Sequence, residues 1–288
     1  MEIQVDCVVE GADTLGECPI WCDREQALWW VDSRGPTLKR WDPASGKVRE
    51  LQLPSVVGSV AFRDKGGMLA ALQSGIHFLD PVSGHLQAVA QPEAHLPENR
   101  FNDGRCDRAG RFWSGTMSDV KREPTGSLYR LSADLECTHM RSDVVVPNSL
   151  SWSPDNRTMY FGDTHRTRIW AYDFDLASGA ISEERVFAQT EGRPDGSCID
   201  VDGCLWNAEY GGWRLVRYTP AGKIDRVIPL PVANATCCCF GGAGLDTLYV
   251  TSATQRLTPE DLLKQPLAGS VFAVRPGVGG LPEARFAG

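Results

Sequence analysis

With 288 residues, 42% of them hydrophobic and 23% charged, the chain is long enough for one large domain or two small ones and can bury a sizeable core. Its 29 Lys and Arg against 37 Asp and Glu give a net charge of −8 with no basic cluster, which argues against nucleic acid or an anionic membrane as partner. No run of about 18 apolar residues offers a membrane span, and "MEIQVDCVVEG" lacks the basic start of a secretory leader, so a cytoplasmic protein is expected.

Taken in chain order, residues 2–9 ("EIQVDCVV") alternate apolar and polar side chains and predict a strand. Six similar units follow. Their opening strands are "ECPIW" (17–21), "GSVAF" (58–62), "NDGRC" (102–106), "NSLSW" (148–152), "DGSCI" (195–199) and "TCCCF" (236–240), each apolar at its fifth place. A second strand follows each one: "LWWVD", "MLAAL", "FWSGT", "MYFGD", "LWNAE" and "LYVTS". Third strands run from "TLKRWDPASGK" in the first unit to "GSVFAVRPGVG" in the last, and "TPEDLLKQ" (258–265) is the best short helix. The ten cysteines fall mainly in apolar strand-like runs without paired CxxC spacing, so they are read as reduced core residues and not as a zinc site.

Unit starts spaced 41, 44, 46, 47 and 41 residues apart, with several strands in each unit, predict an all-β, six-bladed β-propeller over 1–288 as a single domain. A β-sandwich would not produce six units in one register. Residues 2–9 are expected to pair with the last blade and close the ring. The innermost strand of a blade runs along the central channel, so position one of each unit lies at a channel mouth. Those positions read Glu17, Gly58, Asn102, Asn148, Asp195 and Thr236. Four of the six are carboxylates or carboxamides, residue types that strands disfavour. They form a ring of oxygen donors on the axis.

Carboxylates and amides without His or Cys make a hard ligand set, suited to Ca²⁺, Mg²⁺ or Mn²⁺. Glu17 and Asp195 balance one divalent charge, and Asn148 or Asn102 adds neutral oxygen. So few protein ligands leave coordination positions open, as at a catalytic metal. The five histidines are scattered and read as structural, with His165 a loop residue beyond a second strand. Trp29, Trp113 and Trp206 hold repeated core positions; Trp30 and Trp213 depart from that pattern and are candidates for the entrance. There is no GxSxG nucleophile elbow.

Nearly the whole chain resembles the senescence-marker-protein-30/gluconolactonase/regucalcin family through "LGECPIW", "RFNDGRCDRAGRFWSGTM", "VPNSLSWSPD", "RPDGSCIDVDGCLW" and "CCFGG" followed by "LYVT". The resemblance implies a six-bladed propeller with one axial divalent cation, Ca²⁺ foremost and Zn²⁺, Mn²⁺ or Mg²⁺ as other occupants. It implies Glu17, Asn148 and Asp195 as its ligands, Arg100 and Asn102 as substrate contacts, and Asp195 as general base. Mammalian members carry a substrate-touching glutamate shortly after "GTM". Here "GTMSDVKREPTG" offers Asp119 as the nearest acid, with Val120 and Lys121 beside it, so that role is not transferred and the sugar preference stays open.

The activity implied is hydrolysis of a sugar-derived lactone (aldono-, aldaro- or uronolactone) by a monomer or weak homo-oligomer. Two rivals use the same residues: another metal-dependent hydrolase, of phosphotriesterase or aryl-esterase type, and a non-catalytic calcium-binding regulatory propeller. The plain alternative for Arg100, which follows "PEN", is a surface loop arginine.

Overall fold

A computed structural model describes residues 3–288. Each of the six units forms a four-stranded antiparallel sheet. The innermost strands are Gly16–Cys22, Val57–Phe62, Asn99–Cys106, Pro147–Trp152, Arg193–Ile199 and Ala235–Gly241. Each packs on the next and the sixth packs back on the first, so the sheets close into a six-bladed propeller. Burial falls from the axis outward. Every residue of Val57–Phe62 is buried, whereas the outermost strand Lys47–Gln52 is almost wholly exposed.

The sixth blade draws only three strands from the end of the chain: Ala235–Gly241, Thr247–Ser252 and Val271–Val274. Val5–Val9 supplies the fourth, antiparallel to the last of these, with Val5 opposite Val274 and Val9 opposite Val271. This is the ring closure expected from the alternating N-terminal run, of which Glu2 lies outside the described residues. It covers an edge that would otherwise present unpaired N–H and C=O groups. Between Ser252 and Val271 the chain leaves the sheet and forms the expected short helix, Pro259–Lys264, opened by a Thr258–Asp261 capping box.

The far end of the channel is closed by the C-terminal segment. Gly280 bridges to Asp200, Phe286 bridges to Arg63 and is fully buried, and Glu283 pairs with Arg105 at 3.2 Å. Only about 40 Å³ of space remains there.

Trp29, Trp113 and Trp206 pack in the core as expected, and the last two donate Nε1–H to Asp107 and Asp200, each at 2.9 Å. The entrance assignment of the two irregular tryptophans is corrected. Trp30 is fully buried and donates to Asp13 at 2.8 Å, because a buried indole N–H needs an acceptor. Trp213 is 42% exposed at φ +57, in a turn that hydrogen-bonds to Ala233, away from the cavity.

Eight of the ten cysteines are buried and Cys7 and Cys137 are half-buried, all as free thiols. Cys198 and Cys238 come closest, with sulfurs 3.5 Å apart in a thiol hydrogen bond. Protein unfolded without reductant should therefore titrate close to its full complement of 10 thiols. A count well below that would show that disulfides, not core packing, account for these residues.

Candidate functional site

The site begins with a local irregularity repeated six times. In every blade the ladder between the first and second strands shifts register at the ring position: at Glu17/Ile20, Val57/Ser59, Phe101/Gly104, Asn148/Ser151, Pro194/Ser197 and Ala235/Cys237. A β-bulge twists its strand and re-aims one side chain, which is why residues poorly suited to strands sit here. Cys18 and Ser149, directly after Glu17 and Asn148, adopt φ of +48° and +61°. Such left-handed backbone in non-glycine residues is held by its surroundings. The Ser149 hydroxyl donates to the Asp195 carbonyl at 2.6 Å, and Asn207 Nδ2 donates to that same carbonyl at 3.0 Å. The backbones carrying Asn148 and Asp195 are thus tied together.

Four of the six ring residues, Glu17, Asn102, Asn148 and Asp195, line one cavity of about 450 Å³ at the open end of the channel, a size suited to a small molecule. The other two ring positions do not line it. Gly58 gives space to its neighbour, since a Cβ there would lie 2.4 Å from the Asn102 carbonyl oxygen. Thr236 hydrogen-bonds to the Gly16 carbonyl and laces the sixth blade to the first. The acids ending two second strands shape the rim. Asp32 accepts from the amides of Thr14 and Leu15, and Asp163 from those of Val145 and Val146, which fixes Leu15 and Val146 as apolar wall.

A directed chain of hydrogen bonds crosses the site. Arg100 Nη1 donates to Asn102 Oδ1, and Asn102 Nδ2 donates to the Pro147 carbonyl at 2.8 Å and to Asn148 Oδ1 at 3.0 Å. Asn148 Nδ2 donates to Thr164 Oγ1 at 2.7 Å, and that hydroxyl donates to the Pro194 carbonyl at 2.6 Å. Thr164 thereby sets the Asn148 amide with its oxygen toward Asn102. Asn102 sits within the network as a link between Arg100 and Asn148.

Arg100 is 4% exposed and lies in strand Asn99–Cys106, so the surface-loop alternative does not hold. Its Nε donates to Asp119 at 3.0 Å, and Arg34 clamps the same carboxylate at 2.7 and 2.6 Å. Burial raises the Asp119 carboxyl, but the two guanidiniums outweigh it and hold the group below the usual carboxylate range. Asp119 is committed to positioning Arg100 and does not line the cavity.

The acids at the axis behave in the opposite sense. Burial, reinforced by the neighbouring Asp103 carboxylate, pushes Glu17 up to about 8. Asp195 is raised well above an ordinary aspartate, first by burial and then by the charges of Glu17 and Asp103. Asp195 Oδ1 is buried without a hydrogen-bond partner, an orphan that a folded protein leaves only for a reason. Mutually repelling carboxylates, an orphaned oxygen and an oriented amide oxygen fit a hard divalent cation. Among the described residues no group of three His, Cys, Asp or Glu is arranged to hold a metal; the donor set here is two acids and a carboxamide.

Sequence reasoning missed several cavity residues. His165, read as structural, lines the cavity from the loop after strand Thr158–Asp163, and Arg122, Arg193, Tyr210 and Arg256 line it from other blades. The Tyr210 hydroxyl donates to the Gln255 carbonyl at 2.8 Å, and burial pushes its phenol up to about 12. His165, Arg122 and Arg256 lie outside the strands, so only their three-dimensional convergence reveals them, whereas Arg193 and Tyr210 sit at the ends of repeated strands. Asp103 could have been found, because it directly follows ring position Asn102.

Fold and site together define a six-bladed propeller with an oxygen-rich cavity at one end of its axis. The chain belongs to the SMP-30/Gluconolactonase/LRE-like family, whose sequence model matches residues 15–254. It is 40% identical, over the full length of both chains, to 6-deoxy-6-sulfogluconolactonase of Pseudomonas putida. To regucalcin of Gallus gallus it is 38% identical over 99% of each chain. Among solved structures it superposes on a calcium-binding protein, regucalcin, of Agrobacterium tumefaciens with a TM-score of 0.95 and 30% identity, covering 99% of this chain and 98% of that one.

Proposed function

We propose that this protein is a cation-dependent lactonase that opens sugar-derived lactones, whether aldono-, aldaro- or uronolactones, to the free acids. The observation that carries the reading is Asp195, which lines the same cavity as Arg100 and Asn148 and keeps a buried Oδ1 without a hydrogen-bond partner. The lactonase and regucalcin names of the relatives support it.

Glu17, Asn148 and Asp195 would hold the ion, and Ca²⁺ is the cation named for the similar solved structure. When bound, a divalent cation supplies Lewis-acid polarisation of the lactone carbonyl. Asp195 takes the proton of the attacking water. Burial and the charges of Glu17 and Asp103 raise its pKa, and a nearby cation would favour the ionised form that acts as base. Arg100, held rigid by Asp119, and Asn102 orient the hydroxylated ring.

Acid release, corrected for spontaneous hydrolysis, should be measured on a panel of aldono-, aldaro- and uronolactones. The expected result is turnover that a chelator abolishes and added divalent cation restores. Cation binding without turnover of any lactone would leave the calcium-binding regulatory propeller as the better reading.

A further inference from the structure

We infer that the lactone carries an anionic substituent, a sulfonate, phosphate or carboxylate, at the end remote from its carbonyl, recognised by Arg122, Arg193 and Arg256; the inference rests on the lactonase reading above. Four arginines line the cavity. Arg100 is committed to Asp119, while the other three have no carboxylate within ion-pairing distance among the described residues. Arg122 reaches only the Met117 sulfur, at 3.9 Å.

This arrangement runs against the composition of the chain. In a protein of net charge −8, three guanidiniums from three blades converge on one opening without counter-ions. Arg122 comes from the segment after strand Phe112–Ser118, Arg193 opens the innermost strand of the fifth blade, and Arg256 sits at φ +64 in the segment that leads to the short helix. Arg256 lies near enough to Arg122 for its charge to oppose that of the Arg122 guanidinium. Like charges held together at a cavity are stabilised by a ligand of opposite sign, and planar guanidiniums match the paired oxygens of sulfonate, phosphate or carboxylate. Glu17 and Asp195 do not serve as counter-ions, because they are the partners of the cation.

Depth assigns the ends of the substrate. Asp195 and Asn148 are buried at the floor, whereas all three arginines are exposed at the rim. With the carbonyl at the floor, the remote substituent meets the arginines.

The test uses full-length, cation-saturated protein and lactones of one ring size that differ in the remote group: 6-deoxy-6-sulfogluconolactone, its 6-phosphate and 6-carboxylate analogues, and unsubstituted gluconolactone. Charge-assisted bonds to arginine are each worth enough to predict a kcat/KM preference of roughly tenfold or more for one of the anionic lactones. That preference should shrink as salt rises. R122Q, R193Q and R256Q should each reduce the charged-to-neutral ratio several-fold, mainly through KM, and the arm that responds most identifies the anion. An equal ratio in wild-type and triple-variant protein overturns the inference and leaves the lactonase reading standing. If no lactone is opened, that reading fails, and calorimetric binding of the ring-opened acids, 6-deoxy-6-sulfogluconate against gluconate, still decides the arginine site. No preference for the sulfonated acid, or one that survives in the triple variant, sinks it.

Discussion

Asp195→Asn should lower kcat by roughly 10²–10⁴-fold at saturating cation, the range expected when a general base is lost. The substitution keeps an oxygen for coordination and nearly the same shape, so the carbonyl hydrogen bonds from Ser149 and Asn207 that fix this backbone should survive. What it removes is the negative charge and the proton acceptor facing the cavity. Asn148→Ala provides the contrast. It deletes an amide oxygen that Thr164 and Asn102 hold in place, so cation affinity should fall while excess cation partly restores the rate. The comparison needs occupancy measured directly by titration alongside initial rates. Full rescue of Asp195→Asn by saturating cation would reduce Asp195 to a ligand and move proton removal to another group.

Much of this site follows from the period of the sequence. Six aligned units gave the propeller, since a repeat of that length with several strands can bury its apolar faces only against copies of itself, and the alternation of residues 2–9 gave its closing strand. The same alignment placed Glu17, Asn102, Asn148 and Asp195 at one level of the axis, where the cavity now lies. It did not show the β-bulges that aim them, because a register shift is a property of two strands and leaves no periodic mark in either.

Side-chain partnerships were also hidden. Asp119 holds Arg34 and Arg100 across separations of 85 and 19 residues, and no spacing rule links such positions. Trp30 shows the reverse problem. An irregular tryptophan looked like an entrance residue, yet Asp13 offers its N–H a buried acceptor and the indole packs inward. Of the rim arginines, Arg122 and Arg256 lie in segments between the strands, where the repeat has no register to compare, while Arg193 opens an innermost strand just before Asp195.

The metal-free protein should lose stability as the pH rises, and bound cation should cancel that loss. Glu17 carries a folded-state pKa of about 8 against an ordinary value of 4.5, and Asp195 is raised in the same direction. A carboxyl raised on folding holds its proton in the native state after the unfolded chain has released it. Its contribution is therefore complete below the unfolded value and declines as the pH climbs from near 4.5 through about 8. For Glu17 alone the difference of 8 − 4.5 = 3.5 corresponds to roughly 5 kcal/mol at most. Chelated protein should show a falling melting temperature across that window, and saturating cation, which ionises both acids in the folded state, should flatten the curve. Glu17→Gln should flatten it in part without any cation, because the glutamine has no proton to lose. The same protons leave when the ion binds, so calorimetric titrations near neutral pH, in buffers of different ionisation enthalpy, should report net proton release on cation binding. A chelated protein whose melting temperature is independent of pH in this range, together with cation uptake that releases no proton, would mean that Glu17 is already ionised in the empty site and that its repulsion with Asp195 is relieved by something other than a proton.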